Sequence, residues 1–110
     1  DFEAERLDHV YQRARLYSLA ERYEDALAVL GDVADRMDAH GADGMAADTR
    51  LFEGRVLIAM GRVDEGLVPL EAAIATLRSW GDRDATIADI AGIGARALAD
   101  AGRTEDADAF

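Results

Sequence analysis

A short motif occurs three times along this chain of 110 residues, and its spacing constrains the fold more than any other feature. Each copy of this turn motif has an arginine, one variable residue, two acidic residues and then a small residue. The copies are Arg22, Glu24, Asp25 and Ala26; Arg62, Asp64, Glu65 and Gly66; and Arg103, Glu105, Asp106 and Ala107. Their arginines lie 40 and 41 residues apart. Because self-similarity at a period of about 20 to 50 residues is typical of stacked supersecondary units, we predict an array of similar units.

The segments between the copies have the periodicity of helices. Apolar residues recur at spacings of three and four, as at Leu7, Val10, Ala14 and Tyr17, which places them on one helical face. No segment alternates apolar and polar residues with a period of two, so strands are not predicted. The pattern predicts helices over about residues 2–21, 23–39, 45–60, 63–80, 83–101 and 104–110. They form one domain over 1–110, with helical hairpins over 2–39, 45–80 and 83–110, of which the third is incomplete.

Residues that end or begin helices support these boundaries. Gly41, and the glycine 40 residues later, follow the second helix of a hairpin, where a left-handed C-terminal cap favours glycine. Asp82 or Asp84 is predicted to cap the helix over 83–101, and Thr104 is predicted to be the N-cap of the helix that follows. Pro69 lies inside a predicted helix and removes one backbone donor, so we expect a slight kink there.

Composition excludes several classes of partner and site. The formal net charge is −11, the isoelectric point is about 4.4, and every one of the 12 basic residues is Arg. Such a surface repels phosphate groups, so we expect neither direct nucleic-acid binding nor docking on an anionic membrane. The chain has no Cys, which excludes disulfides and thiolate ligands, and no apolar run approaches the ~20 residues of a membrane span. We expect a cytoplasmic location and, because the chain opens at Asp1, a fragment of a larger protein.

Small and large residues recur at fixed places within the units. They are Ala14 and Tyr17, Gly54 and Leu57, and Ala95 and Leu98 in the first helices, and Ala26, Gly66 and Ala107 in the second helices. This arrangement resembles the tetratricopeptide repeats, whose pattern is W-x2-L-G-x2-Y, then A-x3-F, then P. The chain lacks the Trp and the Pro of that pattern, and its period exceeds the usual ~34 residues. The longer period is similar to that of the extended repeats in large bacterial transcription activators and signalling scaffolds.

The resemblance implies an all-α fold, a right-handed superhelical stack of antiparallel helical hairpins with about two and a half repeats. It also implies a concave groove, lined by the first helix of each hairpin, that holds extended peptides or partner helices. HEAT or armadillo repeats have a comparable period and are the alternative, although the turn motif argues against them.

A second repeated pattern lies on the first helices. An Asp and an Arg seven residues apart recur at the same interval, and seven residues is nearly two helical turns, so each pair shares a face. By the resemblance, that face lines the groove, where Ser18 joins it. The predicted partner-binding residues are Asp8, Tyr11, Arg15, Asp48, Leu51, Arg55, Ile58, Asp89 and Arg96. Two interpretations remain open: the guanidinium groups bind carboxylates of a partner, or each pairs with an Asp of the adjacent helix and staples the stack.

Other chemical sites are not predicted. His9 and His40, the two histidines of the chain, have no convergent ligands at helical or loop spacing, so no metal site is expected. Asp43, Asp82 and Asp84 lack the ordered ligand series of a calcium loop, and capping explains them better. The chain has no glycine-rich phosphate loop and no recognisable nucleophile motif, so neither a cofactor nor catalysis is expected.

These observations predict a non-catalytic protein–protein interaction module that binds a peptide or partner segment in the groove. The first alternative is a ligand-sensing or protein-sensing regulatory domain of a bacterial transcription activator, and the second is a structural self-association unit. Homo-oligomerisation is expected because an incomplete third hairpin leaves the apolar face of the helix over 83–101 partly uncovered.

Overall fold

The structure, a computed structural model, describes residues 2–81 and 84–110. Within these residues all regular structure is helical and there is no strand, which confirms the predicted all-α class. The helices are α1 (Phe2–Leu19), α2 (Tyr23–Leu30), α3 (Val33–Ala39), α4 (Asp43–Ala59), α5 (Val63–Ser79), α6 (Asp84–Asp100) and α7 (Thr104–Ala109). None of these helices is both long enough and apolar enough to cross a membrane. The predicted cap at Asp82 and the predicted helix start at residue 83 lie outside the described residues.

One predicted helix is interrupted in the structure. The segment 23–39 was expected to be continuous, but it forms α2 and α3, which are separated by Gly31 and Asp32. Gly31 has a φ of 47°, in the left-handed region that glycine adopts without a steric penalty. The prediction of a continuous helix is therefore wrong. By contrast, α5 remains one helix across Pro69.

The turn motif has the same backbone conformation in all three copies. The residue before each arginine has a positive φ: 59° at Glu21, 81° at Gly61 and 80° at Gly102. The backbone N–H of each arginine then donates to the carbonyl five residues earlier, at 2.8 or 2.9 Å, which closes the preceding helix. Each arginine is the N-cap of the next helix, so the predicted N-cap at Thr104 is wrong by one residue, and Thr104 begins α7.

The helices pack in pairs at the small residues of the repeat. A Cβ atom added to Gly54 on α4 would lie 2.8 Å from the carbonyl oxygen of Gly66 on α5, and a Cβ added to Gly66 would lie 2.8 Å from that of Gly54. Only hydrogen fits at such a distance, so the two backbones are in direct contact. Ala14 and Ala26, the equivalent residues of α1 and α2, are fully buried. The predicted close positions are thus confirmed in the first two pairs.

The third pair, α6 and α7, departs from this pattern. The ring of Phe110 lies against Gly94, so close that a Cβ atom added to Gly94 would overlap it. Gly94 is buried, whereas the predicted small residue Ala95 is only half-buried. Leu98 is buried as expected. The close position of α6 is therefore one residue earlier than the repeat spacing predicts, and the ring beside it belongs to Phe110, which follows α7.

The buried apolar residues form three clusters, of which two join neighbouring pairs and the third lies between α1 and α2, with the partly buried Phe52 of α4 packed against it. Helices of one pair pack on those of the next. The first pair consists of α1 with α2 and its continuation α3, and α4 contacts all three of these helices. The cluster between the second and third pairs contains Ala47, Leu70, Ala73, Ile74, Leu77 and Ile90. The others contain Leu7, Val33, Met37 and Ala46, and Ala14, Ala26 and Leu30. The core is thus distributed along the array.

The apolar face of α6 that was expected to be partly uncovered has half-buried residues at Ile87, Ala91 and Ile93. Among the described residues the exposed large hydrophobic side chains are Leu16, Leu19, Val68 and Trp80, and none of them lies on α6 or α7. Ile87 and Ile93 of α6 pack against the cluster between the second and third pairs. Homo-oligomerisation therefore stays a prediction.

Candidate functional site

A cleft of about 550 Å³ runs between α1 and α4, and we refer to it as the first cleft. Its lining consists of residues from both helices and the start of α2: Tyr11, Arg15, Ser18, Leu19, Tyr23, Asp48, Leu51, Phe52, Arg55, Val56 and Ala59. The structure thus brings together five of the predicted site residues, and Ser18 lines the same cleft as expected. Because Arg15 and Arg55 come from successive units, the repeat itself places two guanidinium groups in one cleft.

A second cleft, of about 450 Å³, lies between α4 and α6. The predicted residues Arg55, Ile58, Asp89 and Arg96 line it, together with Ala88, Gly92, Ile93, Ala97 and Asp100. Arg55 lines both clefts, so the two form one surface across the first helices of the three pairs. Asp8 lines neither of them and is half-buried on α1.

Aromatic rings form the wall of the first cleft near Tyr11. The ring of Tyr11 meets the ring of Phe52 edge-on, with 5.6 Å between centroids and 73° between planes. The guanidinium carbon of Arg15 lies 6.0 Å from the centroid of the Tyr11 ring. Burial raises the pKa of the Tyr11 phenol above its ordinary value; the charge of Arg15 opposes this shift and that of Asp48 adds to it. The phenol is therefore uncharged at neutral pH and can donate one hydrogen bond into the cleft.

The arginines of the two clefts are not used to staple the helices together. In the described part of the chain, no ion pair includes Arg15, Arg55 or Arg96, although each side chain is exposed. The aspartates of the same pattern, such as Asp48 and Asp89, also form no ion pair there. The contacts expected from the stapling interpretation are therefore missing, and the guanidinium groups are open to solvent.

The turn motif makes the ionic contacts between units instead. Within each copy the arginine binds an acid three residues later: Arg22 with Asp25 at 2.8 Å, Arg62 with Glu65, and Arg103 with Asp106 at 2.9 Å. Between copies, Arg62 lies 4.0 Å from Glu24, and Arg103 binds Asp64. These contacts between units were not predicted from the sequence. The signal was present, since Glu24 and Asp64 are the first acids of successive motifs.

Arg50 connects α4 to the first pair on the side away from the clefts. Its guanidinium group donates to Asp35 at 2.9 Å and lies 2.6 Å from Asp38, both on α3. A cavity of about 180 Å³ adjoins this contact and contains the half-buried Glu53. Burial is the main cause that raises the pKa of Glu53, while Arg50 lowers it and Asp35 raises it.

Several residues of the first cleft were not predicted. Leu19, Tyr23 and Phe52 line it and add apolar side chains to the predicted ones. Their signal in the sequence is weak, because an isolated Tyr or Phe beside a helical stripe usually belongs to the core. The aromatic contact between Tyr11 and Phe52 could be anticipated only after α1 and α4 were known to be neighbours.

Fold and clefts together define a class of protein: an all-helical chain of repeated helix pairs with an open, arginine-bearing surface across the first helix of each pair. Within the residues described, no group of three or more His, Asp or Glu side chains could hold a metal ion. Comparison with protein-family models, with curated proteins and with solved structures gave no match.

Proposed function

We propose that this chain is a protein–protein interaction module of tetratricopeptide-like repeats, without catalytic activity of its own, that binds a peptide or partner segment in its two clefts. In this proposal the helix pairs are successive hairpins of a right-handed superhelix, and the clefts belong to its concave surface. Three turns of the same conformation and the direct contact of Gly54 with Gly66 support the repeat assignment.

The observation that carries the proposal is the position of three arginines without ion pairs. Arg15, Arg55 and Arg96 line the clefts of a chain whose net charge is −11. An acidic protein of this kind has many carboxylates that could neutralise an arginine, and the turn motif uses such pairs elsewhere on the surface. Arginines left open in a concave surface are suited to bind carboxylates of another chain with paired hydrogen bonds.

Reversing the charge of Arg55, the arginine that lines both clefts, tests this function. We expect peptides selected on the wild-type protein from an unbiased phage-displayed library to lose binding to Arg55→Glu. The Arg78→Glu variant is the matched control, because Arg78 is an exposed residue of α5 that lines neither cleft. Peptide binding is measured by calorimetry, and stability by thermal unfolding followed by circular dichroism.

The two measurements separate binding from folding. Arg55 makes no ion pair in the described structure, so its reversal leaves the unfolding midpoint close to that of the wild-type protein. Equal loss of binding in Arg55→Glu and Arg78→Glu would show that only net charge matters and would contradict a groove site. Unfolding of Arg55→Glu alone would show that this arginine stabilises the fold.

The volume of the first cleft favours a second candidate function, the binding of a small molecule. Pockets of roughly 300 to 1,000 Å³ are typical of small-molecule sites, and the first cleft has about 550 Å³. A ligand-sensing regulatory domain, as in a bacterial transcription activator, would use the cleft in this way. Stabilisation of the wild-type protein but not of Arg55→Glu by an anionic small molecule in a thermal-shift screen would support this candidate over the peptide module.

A further inference from the structure

The first cleft changes in chemistry along its length. At one end, the half-buried ring of Tyr11 packs against Phe52. One helical turn further along the chain, Arg15 and Arg55 provide two positive charges without ion pairs. A further turn along α1, Leu19 is 80% exposed, although it is a large apolar side chain. The cleft therefore has an aromatic end, a cationic middle and an apolar end.

The aromatic end, the cationic middle and the apolar end form three levels of the cleft, and the distance between levels matches the distance between alternate side chains of an extended peptide. Tyr11, Arg15 and Leu19 are four residues apart, so successive levels are separated by about 6 Å along α1. An extended chain advances about 3.3 Å per residue, and every second side chain points to the same side. Two residues of an extended peptide therefore span the distance between successive levels, and side chains at positions i, i+2 and i+4 reach the three levels in turn.

An extended segment is also the shorter occupant that reaches all three levels. A helix would need about nine residues to place side chains at i, i+4 and i+8 on them, whereas an extended segment needs about five.

On the basis of the proposed function, we infer that the first cleft binds an extended segment with an acidic side chain in its middle and apolar side chains two residues before and two residues after it. The carboxylate lies between Arg15 and Arg55, where the charges are complementary. Asp48 lines the same cleft seven residues before Arg55, about 10 Å away along α4. The negative charge of Asp48 disfavours a peptide carboxylate at the Tyr11 end of the cleft. The acidic side chain is therefore restricted to the middle level.

Synthetic peptides of equal composition test this order of side chains. The probe is the capped peptide Gly-Leu-Ser-Glu-Ser-Leu-Gly, added to the ¹⁵N-labelled protein and followed by amide chemical shifts. The first control, Gly-Leu-Glu-Ser-Ser-Leu-Gly, has the same residues with the acid moved by one position, and the second replaces Glu with Gln. We expect both controls to bind at least about tenfold more weakly, because each loses the charge-assisted hydrogen bonds in the middle level.

Protein variants locate the bound segment. We expect Arg15→Ala and Arg55→Ala each to weaken binding of the probe by about tenfold or more, and Arg78→Ala on α5 to leave it unchanged. Shift changes are expected on α1 and α4. Equal affinity for the two peptides of equal composition would overturn the inferred order, while the proposed function would stand if library peptides still required Arg55.

Two further outcomes would also overturn the inference. Shift changes that extend across α6 would show that the segment crosses both clefts instead of lying along the first. A probe that causes no shift changes would show that this order of side chains does not define the ligand. In both cases the library experiment with Arg55→Glu decides independently whether the clefts bind peptides at all.

Discussion

At Gly54 and Gly66 the two helices approach so closely that only the hydrogen atom of a glycine fits as a side chain. A Cβ atom added to either glycine would lie only 2.8 Å from the backbone carbonyl oxygen of the other. A flexible side chain could move away from a new methyl group, but a backbone oxygen in a helix cannot do so without displacing the helix. Both positions are therefore restricted to glycine by packing, even though each lies inside a helix where glycine is unfavourable.

We expect Gly66→Ala to destabilise the protein by about 1–2 kcal/mol. The overpacking cost of an added methyl group is about 1–3 kcal/mol, and the better helix propensity of Ala offsets it by at most about 1 kcal/mol. The free energy of unfolding is measured by urea denaturation followed by circular dichroism.

Gly92→Ala is the matched control for this substitution. Gly92 also lies inside a helix, but a Cβ atom added there meets no atom within 4 Å. Only the propensity change remains, so we expect this variant to be more stable than the wild-type protein by up to about 1 kcal/mol. Effects of the same sign in the two variants would contradict the assignment of Gly66 to a close helix contact.

At the scale of helices, the first and second pairs differ at one equivalent position. Gly31 and Asp32 interrupt the first pair, whereas the equivalent residues of the second pair, Glu71 and Ala72, continue α5. Glycine inside a helical pattern costs only about 1 kcal/mol relative to Ala, so its presence does not distinguish a tolerated glycine from a break. After the interruption α3 packs against α4, a contact that helical periodicity alone does not reveal.

We expect Gly31→Ala to destabilise the protein by about 1–3 kcal/mol, because an L-residue at a φ of 47° and a ψ of −116° is strained. Glu71→Ala, at the equivalent exposed position of α5, is the control and is expected to change stability by less than about 0.5 kcal/mol. Urea denaturation gives the stability of both variants. If Gly31→Ala gained helicity without losing stability, the first pair would tolerate a continuous helix and the break would not be a fixed feature.

The repeat spacing predicts the helices well for a physical reason. Three copies of one turn, beginning at Arg22, Arg62 and Arg103, end one helix and begin the next by the same hydrogen bonds, so the motif determines the boundary. The same spacing predicts that Arg15 and Arg55 lie on adjacent first helices. It does not predict the apolar lining of the first cleft, because the exposure of residues such as Leu19 depends on how α1 and α4 pack.

At the scale of the whole molecule, buried clusters matter more than ionic contacts in holding the pairs together. The arginines of the turn motif link neighbouring units through Glu24 and Asp64, but these acids are largely exposed. Exposed ion pairs contribute about 0–1 kcal/mol each. The contact of Arg50 with α3 is better shielded, since only 16% of its side chain is exposed. This region, between the first and second pairs, also contains a half-buried carboxylate, Glu53.

Glu53 is expected to make the stability of the whole chain depend on pH. Its pKa is raised in the folded protein, mainly by burial, so the folded state binds a proton more strongly than the unfolded state. Its favourable contribution is complete below the ordinary Glu pKa of about 4.3 and is lost as the pH rises through the higher folded pKa. We therefore expect Glu53→Gln to be more stable than the wild-type protein at pH 7.

The shape of the pH dependence distinguishes this effect from a simple change in net charge. Glu71→Gln, on the exposed surface of α5, removes the same charge from a chain of net charge −11 and provides the reference. Urea denaturation at several pH values from 7 to 4 should show the advantage of Glu53→Gln over Glu71→Gln declining as Glu53 becomes protonated in the wild-type protein. A constant difference between the two variants over this range would mean that the Glu53 carboxylate is as well solvated in the folded chain as in the unfolded one.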